Sequence, residues 1–119
     1  MTGAWAREAD ATDLTHLIDD GRLCDAAWSL AAALALSTPG ARDRQLRIAS
    51  AIIRRERKRL DPESLRTDDW SATLSDESLI WRALRFVTAV DYFSLTSTKA
   101  ASLRVAEAAL RTLYARGRS

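Results

Sequence analysis

The sequence predicts an all-α fold, a compact bundle of about five helices built on an antiparallel helical hairpin. Strong helix formers dominate, whereas Gly occurs four times and Pro twice in 119 residues. Several segments repeat apolar residues at i, i+3, i+4 and i+7, the spacing of a helix with one buried face. Hydrophobic residues make up 47% and charged residues 29%, which excludes a disordered chain. We expect one domain, residues 1–119, with 1–9 as a flexible arm and 117–119 as a tail.

The first predicted helix is short and runs from Asp10 or Thr12 to Ile18. Either of the first two side chains can cap it, because their oxygens accept from free amides of the first turn. Gly21 ends it, since glycine readily takes the left-handed conformation that follows many helices.

The second and third predicted helices, Arg22–Leu36 and Ala41–Leu60, form the hairpin. Many alanines in the first allow its partner to approach closely, and Trp28 is expected to pack in the hairpin. Residues 37–40 (Ser-Thr-Pro-Gly) are a breaker cluster that separates the two helices. The third helix places apolar residues on one side: Leu46, Ala49, Ile53 and Leu60.

The helix Ala41–Leu60 is also the most basic part of the chain. It carries eight bases against two acids, whereas the net charge of the whole protein is +2. We call its C-terminal part the Arg54–Arg59 cluster and predict that it binds a partner. The members are Arg54, Arg55, Arg57, Lys58 and Arg59. The alternative is a solvated helix face that the acidic segments 8–25 and 61–77 neutralise.

Two further helices complete the prediction. Residues 61–63 (Asp-Pro-Glu) restart the chain for one or two turns, and Ser75 caps a fourth helix that continues to about Phe93. The apolar side of this fourth helix comprises Leu79, Ala83, Phe86, Val90 and Phe93.

The last predicted helix, Thr98–Arg116, has a narrow apolar seam in steps of three and four residues. Such a seam suits either packing within the bundle or a homodimer contact. The residues predicted for that contact are Leu103, Leu110 and Leu113. Glu107 and Arg111 are spaced for an ion pair on the surface of the same helix.

The sequence predicts a protein that is not an enzyme. His16 and Cys24 are the only histidine and cysteine, so no His or Cys cluster can hold zinc, and Gly-rich phosphate loops are absent. We therefore expect no catalytic residue, no cofactor and no metal. The lone cysteine, the lack of a signal-peptide pattern and a longest apolar run of 11 residues (Ala26–Leu36) indicate a cytoplasmic protein. Sixteen Arg against two Lys suggest a bacterial or phage genome.

Two local resemblances occur in the hairpin region. Leu30–Leu46 resembles the helix-turn-helix of bacterial repressors in its leading Leu-Ala and its Leu34-x-Leu36 pair, which would imply DNA binding. It departs from that family with Ala35 in place of the turn glycine. Residues 21–36, with Gly-x-Leu-x-x-Ala followed by Ala-Leu-x-Leu, resemble the second half of a tetratricopeptide repeat. No second repeat follows, so this resemblance implies only tightly packed antiparallel helices.

The function predicted from the sequence is a non-enzymatic protein–protein interaction module. A small adaptor, inhibitor, immunity-type or chaperone-type protein would act by occupying a partner surface sterically. The Arg54–Arg59 cluster would steer it towards an acidic partner protein. Trp5 and Trp70 lie in acid-flanked stretches and are either exposed anchors of the contact or covers of a core edge. The alternative is a DNA- or RNA-binding regulator that places helix 41–60 on phosphates.

Overall fold

The computed structural model describes residues 23–36, 38–63 and 73–117 of the chain. Within these residues it contains four α-helices: α1 Leu23–Ala35, α2 Pro39–Leu60, α3 Asp76–Ala89 and α4 Thr96–Gly117. A 3₁₀ turn, Val90–Tyr92, follows α3, and the described residues include no strand. The all-α fold class is therefore confirmed. The short helix predicted to end at Ile18 lies outside the described residues.

The four helices are arranged in a ring. Helix α1 packs against α2 and α3, and α4 packs against the same two helices. The diagonal pairs, α1 with α4 and α2 with α3, barely touch. The bundle thus has one side formed by α1 and α3 and another formed by α2 and α4.

All four helices contribute to one apolar core, as their sequence spacing predicts. Small residues of α1, such as Ala26 and Ala33, are fully buried and let the neighbouring helices come close. The largest buried apolar side chains are Leu30, Ile48, Ile52, Ile53, Leu79, Ile80, Leu103 and Leu110.

The seam of α4 is part of this core and is not available for a homodimer. Leu103 is 0% exposed and Leu110 is 1% exposed, while Leu113 is half-buried and packs against the core. The cause is that α4 uses its apolar side to pack against α2 and α3. Of the two uses that the seam suits, the structure shows packing within the bundle, and the predicted contact through Leu103 and Leu110 is corrected accordingly.

Helix α2 begins at Pro39, two residues before its predicted start. Proline suits the first position of a helix because the amide it lacks would have no helical partner there. The same residues that stop α1 therefore start α2. Arg42 then reaches back to the end of α1: its Nε donates to the carbonyl of Ala33 at 3.1 Å and its Nη2 to that of Leu36 at 3.3 Å. These bonds satisfy carbonyls that a helix end leaves free.

The predicted start of α3 is correct, whereas its predicted end is wrong. Ser75 caps the helix as predicted, because its Oγ accepts a hydrogen bond from the backbone amide of Ser78 at 3.2 Å. The helix ends at Ala89 and gives way to the 3₁₀ turn, in which the amide of Val90 donates to the carbonyl of Val87. Phe93 consequently lies beyond the helix and is 36% exposed, outside the buried core.

The contact between α2 and α4 contains a buried ion pair. Arg57 is 2% exposed, and its Nε donates to Oε1 of Glu107 at 2.7 Å while its Nη2 donates to Oε2 at 3.3 Å. The remaining terminal nitrogen, Nη1, donates to the carbonyls of Asp61 and Glu63 just after α2. The hydrogen bond with Glu107 raises the pKa of Arg57 despite the opposing effect of burial, so the guanidinium stays charged. Glu107 was predicted to pair with Arg111, and it pairs with Arg57 instead.

We expect Arg57→Met to lower the free energy of unfolding by about 3–5 kcal/mol, because it leaves the buried Glu107 carboxylate without its hydrogen-bonded partner. Lys58→Met is the matched control, since that side chain is exposed on the same helix and should cost less than about 1 kcal/mol. Urea unfolding followed by circular dichroism measures both. The double variant Arg57→Met with Glu107→Met should recover most of the loss, and equal effects of the two single variants would contradict this role of Arg57.

Candidate functional site

The structure divides the Arg54–Arg59 cluster. Arg57 points into the contact between α2 and α4, so it is not available to an outside partner. Arg54, Arg55, Lys58 and Arg59 are exposed. The cluster is therefore part core and part surface, a distinction that a count of charges does not reveal.

Two described acids of segment 61–77 form ion pairs with α4. Asp61 accepts from Arg104 of α4 at 2.7 Å, and Asp76 accepts from Arg116 of α4 at 3.0 Å. Residues 64–72 lie outside the described ranges, and of segment 8–25 only 23–25 are described. Asp61 and Asp76 therefore offset bases of α4.

The outer face of α2 is uniformly basic. Every residue of 41–60 that is exposed is Arg or Lys. Five of them recur at helical spacing on the side opposite the core, and we call them the α2 cationic stripe. They are Arg44, Arg47, Arg54, Arg55 and Lys58.

Arg54 of the stripe lies 3.9 Å from the largely buried carboxylate of Glu107 on α4. Two other ion pairs within and beside the stripe are exposed and local. Arg47 pairs with Asp43 at 3.0 Å, one helical turn away, and Arg59 pairs with Glu56 at 2.8 Å. Both arginine side chains are about two-thirds exposed (66% and 65%). Exposed pairs of this kind contribute at most about 1 kcal/mol and are easily exchanged for other anions. These two pairs therefore do not prevent Arg47 and Arg59 from contacting another anion.

A second surface feature is a groove of about 450 Å³ between α1 and α3, which we call the α1–α3 groove. Its walls are mostly apolar, with one carboxylate, Asp91, and one thiol, Cys24. The lining residues are Leu23, Cys24, Ala27, Trp28, Ala31, Leu84, Val87, Thr88 and Asp91. A mostly apolar lining of this kind is typical of an apolar binding site.

Two tryptophans mark this side of the bundle. Trp28 is 70% exposed and lines the groove, so the predicted packing of Trp28 inside the hairpin is wrong. Its position explains the exposure: the core side of α1 carries Ala26, Leu30 and Ala33, and Trp28 projects on another side. Trp81 of α3, predicted at the margin of the apolar side, is 54% exposed. It precedes the groove residue Leu84 by about one turn.

The remaining predicted site residues, Trp5 and Trp70, lie outside the described residues. His16 does so as well. Among the residues that the structure describes, no group of three or more His, Cys, Asp or Glu side chains could hold a metal ion. No helix in the described ranges is long and apolar enough to cross a bilayer.

The sequence analysis did not predict that Trp28 lines a groove, although the spacing of residues in α1 indicates a second apolar side. Cys24, Trp28, Ala31 and Ala35 follow one another at steps of three or four residues, on a side of α1 away from the core residues. All of these except Ala35 line the groove. The helical pattern thus indicated a second, weakly apolar side of α1, but not which helix would stand beside it.

Comparisons with protein-family models, with curated proteins and with solved structures found no match to this chain.

The contact between Asp61 and Arg104 predicts acid sensitivity. The hydrogen bond from Arg104, with another from the amide of Glu63, lowers the pKa of Asp61 below its ordinary value. A carboxylate whose pKa is lower in the folded state stabilises the fold above its ordinary pKa and loses that contribution as the pH falls through the lowered value. We expect the free energy of unfolding to decrease below about pH 5, near the onset of Asp titration.

Asp61→Asn should flatten this part of the pH profile, because the asparagine cannot titrate. Chemical unfolding at pH 3 to 7 measures the effect, with Asp91→Asn as a control that removes an exposed carboxylate elsewhere. Parallel profiles for the native protein and the Asp61 variant would contradict the assignment.

Proposed function

We propose that this protein is a non-enzymatic protein–protein interaction module that acts by occupying a partner surface sterically, as a small adaptor, inhibitor, immunity-type or chaperone-type protein would. The observation that carries the proposal is the exposure of Trp28 and Trp81 on the side of the bundle that holds the α1–α3 groove. The scaffold of the proposed module includes two finer predicted features, a fifth helix ahead of α1 and an organisation around the α1–α2 hairpin.

The physical basis is the cost of leaving large aromatic surfaces in water. A Trp side chain buries roughly 150–250 Å² when it is covered, and each buried Å² of apolar surface stabilises by about 25 cal/mol. Covering the exposed parts of Trp28 and Trp81 is thus worth on the order of 3 kcal/mol each before the costs of association. Tryptophan is also enriched among the residues that dominate binding energies at interfaces.

The shape and chemistry of the groove define what a partner must contribute. The side chains of Ala27 and Ala31 in its wall are small, so a partner can place an apolar side chain there against Leu84 and Val87. An amphipathic helix that lays its apolar side along α1 and α3 meets this requirement. The proposed partner is therefore a protein that presents such an apolar segment, with Trp28 and Trp81 as the anchors on this chain.

The predicted steering by the Arg54–Arg59 cluster is separate from this contact. The cluster belongs to α2, which contributes no residue to the groove. Its exposed bases could accelerate the approach of an acidic partner, but the proposed contact does not require them. The role of Trp5 and Trp70 as further anchors of the contact is likewise part of this proposal.

Cross-linking from the groove tests the proposal. Cys24 is the only cysteine of the chain and is exposed in the groove wall, so a photo-cross-linker can be attached there without mutation. The matched control moves the cross-linker out of the groove with Cys24→Ser and Ser97→Cys, since Ser97 is exposed at the start of α4. We expect a protein of the native host to be linked from Cys24 and not from the control position.

The same assay with Trp28→Ala, which removes the tryptophan that lines the groove, should reduce the cross-linked yield at limiting concentration by at least about tenfold, the effect of losing an anchor worth more than 1.4 kcal/mol. Tyr92→Ala provides the comparison, because it removes an aromatic that is 88% exposed but does not line the groove. Identical cross-linked proteins from both positions, or an unchanged yield with Trp28→Ala, would overturn the proposal.

A further inference from the structure

The α2 cationic stripe is an extended surface on the other side of the bundle from the α1–α3 groove. From Arg44 to Lys58 it spans 15 residues, a length of roughly 21 Å along the helix. Helix α2 forms one side of the bundle with α4, whereas the groove belongs to α1 and α3. The two surfaces can therefore be occupied at the same time.

The residues of this surface carry a large positive formal charge. The exposed bases of 41–60 number six, the stripe and Arg59, against the two acids Asp43 and Glu56. Arg57 does not add to the sum because Glu107 offsets it inside the bundle. The outer face of α2 thus carries a net charge of +4 within a few turns of helix.

The composition of the stripe indicates what kind of anion fits it. The centre of a protein–protein interface usually contains aromatic or large apolar anchors that become desolvated. None of the exposed positions of 41–60 carries such a residue, because all are Arg or Lys. A straight row of flexible cations instead matches the phosphates of a nucleic acid, whose binding releases counterions and needs no apolar contact.

The orientation of the stripe is fixed by the core. The buried ion pair of Arg57 with Glu107 and the buried Ile52 and Ile53 set the rotation of α2 about its axis. The cations are consequently preorganised on one side, so that anion binding does not have to order the helix first.

We propose that the α2 cationic stripe binds the phosphate backbone of a nucleic acid without reading its base sequence. This surface acts independently of the groove, and neither function depends on the other. Contacts to phosphate hold and orient a protein on a duplex but carry no sequence information. A protein bound in the groove would thereby be brought to nucleic acid.

The test is fluorescence anisotropy with a labelled 20-base-pair duplex DNA of arbitrary sequence, measured from 25 to 200 mM salt. We expect binding at low salt, equal affinity for a second duplex of unrelated sequence, and a linear fall of log K with log salt. The slope should be about −0.9 for each phosphate contacted. The double variant Arg54→Gln with Lys58→Gln removes two exposed cations and should make the slope shallower by about 1.8.

A charge-matched control distinguishes the effect of the stripe from the effect of the protein's net charge on DNA binding. Arg85→Gln with Lys99→Gln removes two cations on α3 and α4 outside the stripe, and its slope should remain near that of the native protein. Circular dichroism verifies that all variants are folded, and Trp28→Ala should leave DNA binding unchanged. Absence of binding at 25 mM salt, or equal slopes for the stripe and control variants, would overturn the proposal.

Poly-glutamate at the same anion concentration serves as the competing polyanion. If it displaces the duplex only at much higher concentration, the assignment to phosphate stands. Displacement at equal concentration would overturn that assignment in favour of an acidic protein surface.

Discussion

The buried ion pair between Arg57 and Glu107 constrains how α2 and α4 can pack, because neither charge can be buried without the other. It joins α2 to α4 in the interior, and Arg57 also holds the chain that leaves α2 through the carbonyls of Asp61 and Glu63. A charge taken out of water needs its partner in good geometry. The pair therefore fixes the rotation of α2, and with it the direction in which the helix presents its basic side.

The sequence was sufficient to predict the helices but not every boundary. Apolar spacing located the described segments, and the Ser75 cap follows from local chemistry that neighbouring residues cannot easily override. Pro39 was misinterpreted because proline is compatible with both the end of one helix and the first residue of the next. The seam of α4 was ambiguous for a different reason, since periodicity identifies the buried side of a helix but not the surface that covers it.

The candidate surfaces were harder to predict, because each depends on two helices. Arg57 follows the core residue Ile53 by four positions, which places it on the buried side of α2, yet a charged residue is expected at the surface unless its partner is known. That partner, Glu107, is 50 residues away in the sequence. The groove likewise required the placement of α3 beside α1, which no pattern within α1 contains. Composition identified the basic helix, and tertiary structure separated its buried base from the exposed ones.

The division of the Arg54–Arg59 cluster also constrains how this sequence can diverge. At Lys58 and Arg59 a change between arginine and lysine keeps the charge in water and alters little. At Arg57 the same change would remove the planar fork that contacts both oxygens of Glu107 and would leave acceptors without donors. Among diverging copies of this chain, positions 57 and 107 should therefore change together or not at all, while the adjacent bases drift freely between the two cations.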